Sequence, residues 1–197
     1  MKYLNSLELI GKTPLVCLTK LSNKYGVNFY LKLESYNLTG SIKDRPALKM
    51  IEEAEKKGLL KPGVTIVESS SGNLGISLSA ICSIKGYNFI CVIDPKTSFS
   101  KINTIKAYGG KVAKVNKKGT NGSYIENRIK MVKKLLSSIP NSINLDQYNN
   151  ISNLVAHYES TGPEINDDLE DKIDAIVGCL STAGTMMGIA RFFKMKK

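Results

Sequence analysis

Short apolar runs alternate with longer stretches of helical periodicity along the whole chain. Residues 29–33 (FYLKL), 65–69 (TIVES), 89–94 (FICVID), 111–115 (KVAKV), 143–145 (INL) and 174–178 (DAIVG) have the length and apolar density of strands. Between them, residues 43–57, 73–85, 99–108, 123–138, 151–158 and 185–194 carry apolar positions at helical spacing. Gly58, Gly86 and Gly109 fall just past three of these helices, where a left-handed terminating residue is wanted. Strand and helix in regular succession predict an α/β fold, with parallel sheet covered by helices on both faces. In such sheets ligands gather at the C-terminal ends of strands, on the loops that follow and at helix starts.

Three loops meet that description. In residues 37–45 (NLTGSIKDR), Lys43 follows a glycine-bearing polar loop and opens a helical pattern. The unpaired N–H groups and positive dipole end of a helix start disfavour a second positive charge, so such a lysine loses its proton more cheaply. A neutral amine is what forms a Schiff base with an aldehyde. The second loop, residues 68–75 (ESSSGNLG), places Ser70, Ser71, Gly72 and Asn73 between a strand and an apolar helix. The third, residues 181–188 (STAGTMMG), places Ser181, Thr182, Ala183, Gly184 and Thr185 in the same setting. Hydroxyls, small residues and helix N–H groups suit an anion cradle. An N-cap cluster with surplus serines and a tight strand–helix turn fit the same residues. Neither loop is a Walker A motif, GxGxxG is missing, and a GxSxG nucleophile is absent.

Composition narrows the chemistry. The 197 residues are 42% hydrophobic and 23% charged, an ordinary globular balance with room for one large domain or two small ones. Lysine and arginine total 28 against 17 acidic residues, and only Arg45, Arg128 and Arg191 are arginines. The lysines are scattered without a helix-turn-helix, zinc-finger or RNP aromatic pattern, so a solvated surface is expected and no nucleic acid. An arginine in a lysine-rich chain suggests bidentate binding of phosphate or carboxylate at Arg128; a helix surface charge is the alternative. His157 is the single histidine, which excludes multi-histidine metal sites; no metal is expected. Cys17, Cys82, Cys91 and Cys179 lie far apart in apolar runs, predicting buried, reduced thiols. Residues 1–10 carry Lys2 and Glu8 and lack an apolar signal core, and residues 176–193 are too rich in glycine and hydroxyls for a span. A soluble cytoplasmic protein is expected, with no membrane association.

A lysine at a helix start, followed by two anion loops, resembles the fold type II pyridoxal-phosphate enzymes of the cysteine synthase and cystathionine beta-synthase family, which are tryptophan synthase beta-like. The likeness runs from IGKTPLV (10–16) through TGPEI (161–165) to STAGTMMGI (181–189). SSSGNLG with Leu74, VIDPKTS (92–98), the NGSYxxxR pattern (121–128) and DQYNN (146–150) are most similar to the siderophore-associated branch. That branch joins O-phosphoserine to glutamate, making N-(2-amino-2-carboxyethyl)-glutamate on the way to 2,3-diaminopropionate.

The resemblance implies pyridoxal 5'-phosphate held by Lys43, which also removes the substrate Cα proton, and β-replacement on an activated serine through an aminoacrylate. It implies that Asn73 bonds the cofactor ring oxygen and that Ser181, Thr182, Ala183, Gly184 and Thr185 cradle its phosphate. Ser70, Ser71, Gly72 and Asn73, with Gln147, would clamp the substrate carboxylate, and Arg128 would bind substrate. Small amino acids are the implied partners, and a homodimer the implied assembly. Two parallel-sheet domains are implied, residues 46–145 inserted between 1–45 and 146–197. Family members continue beyond the phosphate loop and add a partner for the pyridine nitrogen, so the second domain is expected to be incomplete here. Cysteine synthase using sulfide, and an inactive remnant that binds only cofactor or a partner, are the alternatives.

Overall fold

The computed structural model describes residues 2–170 and 172–196. In chain order its elements are β1 (Leu15–Cys17), α1 (Thr19–Tyr25), β2 (Tyr30–Lys32), α2 (Asp44–Lys56), β3 (Thr65–Ser69), α3 (Asn73–Lys85), β4 (Asn88–Ile93), α4 (Phe99–Ala107), β5 (Lys111–Lys114), α5 (Ile125–Ser138), β6 (Ser142–Ile143), α6 (Ser152–Ala156), α7 (Gly162–Leu169) and α8 (Gly184–Lys196). A π-turn, His157–Thr161, joins α6 to α7. The chain divides into two compact units, Ala47–Ser152 and the discontinuous pair Met1–Pro46 with Asn153–Lys197.

The continuous unit is built on a four-stranded parallel sheet in the order β5-β4-β3-β6. Its central strands are apolar on both faces: Ile66 and Val67 of β3 and Cys91 and Val92 of β4 are wholly buried, as a sheet covered on both sides requires. Val67, Val92 and Val115 close on Val132 of α5, with Ile90, Ala113, Met131 and Leu135 around them. Each such buried side chain contributes roughly 1.5–3 kcal/mol. The predicted strand 143–145 shortens to Ser142–Ile143. Asn144 turns its side-chain amide onto the Val67 carbonyl (2.7 Å), and the ladder ends there.

In the discontinuous unit the outcome departs further from the periodicity. The 29–33 run joins no parallel sheet; β2 pairs antiparallel with β1, Val16 opposite Leu31. Apolar density marks a short strand without naming its partner, and here Tyr30 and Leu31 stay exposed on a two-stranded ribbon. Residues 174–178 form no strand, and Val177 is 95% exposed. A strand needs a neighbouring edge for its N–H and C=O groups, and no described residue supplies one there. Cys17, at the end of β1, and Cys179, just past residue 178, are exposed and not buried as their apolar surroundings predicted, whereas Cys82 and Cys91 are buried; all four are free thiols. The predicted helix 151–158 begins at Ser152 and runs on through the π-turn to Leu169, taking in the TGPEI segment.

A buried arginine ties this unit together. The Arg45 guanidinium lies between two carboxylates. Its Nε and Nη2 reach the two oxygens of Glu34 (both 2.8 Å), and Nη1 and Nη2 reach those of Glu164 (2.6 and 2.7 Å). Thr13 Oγ1 (3.2 Å) and Ser160 Oγ (3.1 Å) take further donors. Burial works against both charges. The hydrogen bonds and charge of Arg45 more than reverse it, holding Glu34 below the usual carboxylate range and Glu164 down at about 2. Lys32 adds an ion pair to Glu164 at 3.1 Å.

Replacing Arg45 with methionine strands two half-buried carboxylates. Urea denaturation should show a loss of about 3–5 kcal/mol, as for other broken buried ion pairs. Gly188→Ala tests the packing of α8: an added Cβ would lie 2.4 Å from the Leu154 carbonyl oxygen and 2.8 Å from the His157 Cβ. Alanine gains about 1 kcal/mol in helix propensity, but backbone cannot yield as a flexible side chain does. A net loss of about 1–2 kcal/mol is expected in the same assay.

Candidate active site

Lys43 is the last residue before α2. The loop leading to it is drawn tight: Asp44 accepts hydrogen bonds from the Thr39 N–H (2.6 Å) and the Thr39 hydroxyl. Asn37 donates to the Glu34 carbonyl and carboxylate (both 2.9 Å) and accepts from the Gly11 N–H at 2.8 Å. With Arg45 clamped two residues further on, both sides of Lys43 are anchored. Its amine is half-buried, and burial lowers its proton affinity below the ordinary lysine value.

Residues 181–185 enter α8 in the same unit. Ala183 has φ +63°, the left-handed region that a side chain rarely adopts, and it turns the chain sharply at the helix start. Gly184 presses on Asn153, whose side-chain atoms would be 2.5–2.9 Å from any added Cβ. The hydroxyls are held from one neighbouring helix: Asn153 Nδ2 donates to Thr182 Oγ1 (3.0 Å), and His157 Nε2 meets Thr185 Oγ1 (3.1 Å). His157 Nδ1 meets Thr161 Oγ1 at 2.9 Å across the π-turn. The ring is fully buried. Burial, with the charges of Arg45 and Lys43, pushes its pKa down to about 4. At neutral pH the imidazole is uncharged, one nitrogen donating and the other accepting. Lys43 and all five residues 181–185 line one concavity of about 1350 Å³, roomy for a small phosphorylated ligand.

The remaining residues singled out from the sequence belong to the continuous unit. Ser70 is buried, and its hydroxyl accepts from the Gly72 (3.3 Å) and Gly75 (3.1 Å) N–H groups, so it shapes the loop from inside. Ser71 and Gly72 are half-buried, and Asn73 is exposed at the first turn of α3. Gln147 is buried and donates to the Ser69 carbonyl at 2.6 Å. Arg128 is no surface charge. At 5% exposure it pairs with Asp94 (Nε to Oδ2, 3.4 Å), while its Nε and Nη1 make no hydrogen bond. The Ser69 and Thr97 hydroxyls are also buried without a bonding partner. Unspent buried donors of this kind are rare in folded proteins.

Sequence reasoning passed over His157, Asn153 and the Arg45 clamp. One signal was present: Arg45 is an arginine in a lysine-rich chain, two residues from Lys43, and deserved the weight given to Arg128. Among the described residues no group of three or more His, Cys, Asp or Glu could hold a metal ion, and no helix is long and apolar enough to cross a membrane.

Comparison with known proteins gives the chain its family. Residues 7–197 match the family described as pyridoxal-phosphate dependent enzyme. The chain is 42% identical over 184 residues to N-(2-amino-2-carboxyethyl)-L-glutamate synthase of Ralstonia nicotianae, covering 93% of this chain and 54% of that protein. It is 45% identical over 190 residues to cystathionine beta-synthase of Apis mellifera, covering 95% of this chain and 38% of that one. Among solved structures, a hydrogen sulfide-producing enzyme from Fusobacterium nucleatum superposes with a TM-score of 0.92 at 36% identity, over 99% of this chain and 64% of that one. O-ureido-L-serine synthase superposes with the same score at 34% identity, over 100% of this chain and 61% of that one. The chain thus spans about half the length of the Ralstonia enzyme. On the match across residues 7–197, this chain belongs to the pyridoxal-phosphate dependent enzyme family.

Proposed function

We propose that Lys43 holds pyridoxal phosphate and that the protein carries out β-replacement on an activated serine, joining O-phosphoserine to glutamate. The observation that carries this reading is the shared concavity: a lysine amine of lowered proton affinity opens onto the same space as the 181–185 loop. The residues suit the cofactor. Residues 182–185 offer hydroxyls, a left-handed turn and the first N–H groups of a 13-residue helix, which lack intrahelical acceptors. The amine can condense with an aldehyde once it has given up its proton.

Bound there, the cofactor supplies an electron-accepting ring that eases departure of a Cα proton. Lys43 Nζ is the base that takes that proton. Thr182 and Thr185 orient the phosphate, each held in turn by Asn153 or the neutral His157. For Ser70, Ser71, Gly72, Asn73 and Gln147 the proposed role is capture of the substrate carboxylate, Ser70 acting through the loop it shapes. Across the reaction the serine Cβ–O bond breaks and phosphate leaves, a C–N bond forms as the glutamate amine gives up an N–H proton, and Lys43 returns the Cα proton. The unspent Arg128 donors favour a doubly anionic leaving group. The name of the Ralstonia relative supports the same pair of substrates.

Purified protein incubated with pyridoxal phosphate should develop the visible absorbance of a lysine-bound aldehyde, and Lys43→Ala should lose both the band and turnover; a band that survives would discard Lys43. Supplying glutamate or sulfide with O-phosphoserine separates the synthase from a sulfide-using enzyme. Arg128→Lys should lower kcat/KM for O-phosphoserine by about tenfold to a hundredfold, the value of a charge-assisted hydrogen bond, and that for O-acetylserine much less. Equal losses would remove Arg128 from substrate recognition.

A further inference from the structure

Glu68 is a buried acid that this chemistry leaves unused. It lies one residue from the end of β3, 1% exposed, opposite Cys91 of β4. The groups that bond it are amides: the Ser69 N–H (3.0 Å), Asn144 Nδ2 (3.0 Å) and the backbone N–H of Asp146. Asn144 also holds the Val67 carbonyl (2.7 Å), and Gln147 the Ser69 carbonyl (2.6 Å). Residues 144–147 therefore form a strap across the end of β3, bent through a left-handed Asp146 (φ +51°). Beyond β3 begins the loop that carries Ser70 to Asn73, and the strap itself carries Gln147.

We propose that Glu68 is a positioning residue, whose carboxyl group fastens the 144–147 strap to β3 and thereby fixes Gln147 and the Ser69–Asn73 loop for the substrate carboxylate. The inference rests on the β-replacement reading for its substrate and on the unit's own geometry for its strap. Losing the hydrogen bonds to this one carboxyl group would loosen the strap, leaving it tied to β3 only by the Asn144–Val67 and Gln147–Ser69 hydrogen bonds.

The charged and titratable groups around Glu68 are the Asp146 carboxylate on the strap, the Cys91 thiol on β4, and Arg128 on α5, which pairs with Asp94 and whose charge acts on Cys91. Burial pushes Glu68 up to about 7, the Asp146 charge adding and the amide bonds opposing. With the strap lifted, water reaches the acid and its proton affinity falls back towards the ordinary range. The closed strap therefore holds the proton more tightly. Its stabilisation is complete below the ordinary carboxylate pKa and is lost as pH rises through about 7.

Hydrogen–deuterium exchange of the whole protein reads this without turnover. After correction for intrinsic exchange, protection of residues 144–148 should fall between pH 6 and 8 in the wild type. In Glu68→Gln it should be lower and flat, since the side chain no longer titrates and turns a donor towards a donor. Asn144→Ala removes the same tie from the strap side and should expose the same residues, with Glu68→Asp recovering part of the protection. In assays with O-phosphoserine, Glu68→Gln and Asn144→Ala should each raise KM about tenfold, the worth of one hydrogen bond to a charged group, with a smaller change in kcat. The two substitutions together should cost less than the sum of their separate effects, because both cut the Asn144–Glu68 hydrogen bond. Unchanged protection and a retained pH response in Glu68→Gln would overturn the strap. A loosened strap with unchanged KM would overturn its role in positioning. If the wild type turned over no activated serine, the exchange result would still decide the strap, and the β-replacement reading would fall separately.

Discussion

The discontinuous unit depends on one guanidinium. Arg45 makes two parallel pairs of hydrogen bonds, to Glu34 and to Glu164, residues 11 and 119 positions away. No other side chain could do this: lysine is a point charge, while the planar fork of arginine matches two carboxylates at once. Taking three charges out of water is costly, and the cost is offset only because nearly every donor and acceptor in the cluster is satisfied. Thr13, Asn37, Ser160 and the Lys12 N–H complete it, the last donating to Glu164 at 2.9 Å. The cluster thus joins the segments around residues 12, 35, 45 and 162, which are remote in sequence.

From that clamp the site follows in short steps. Lys43 stands two residues from Arg45, so its backbone inherits the clamp's rigidity. Ser160 and Glu164 flank Thr161, which holds one nitrogen of His157, and the other nitrogen holds Thr185. Lys43 and residues 181–185 are placed by the same compact unit, which the proposed holding of an aldehyde carbon and a phosphate at two fixed points demands. Burial gives the electrostatics their sign: it works against positive charge on Lys43 and His157, and the surrounding cations push His157 the same way.

The continuous unit follows a different plan. Its sheet is held by apolar burial, and its polar features collect where β3 and β4 end. There Asn144 donates to Glu68 and Gln147 to the Ser69 carbonyl, while Arg128, Thr97 and Ser69 keep unspent donors. Such orphans are rare in a folded interior, and the proposed role of Arg128 rests on them.

What the sequence by itself determined was local. Residues 65–69 and 73–85 read correctly because strand and helix periods are encoded in neighbouring residues. Lys43 and residues 181–185 stood out because a helix start announces itself through loop chemistry and small side chains. Only the tertiary structure decided the rest. It directed β2 onto β1, left 174–178 unpaired among the described residues, buried Arg128 beside Asp94, and drew Glu164 to Arg45 and His157 to Thr185. Each of these is a contact between residues distant in the chain, whose geometry depends on how layers pack and what water is excluded. A residue's type states what it can bond; which partner it meets is set by the fold.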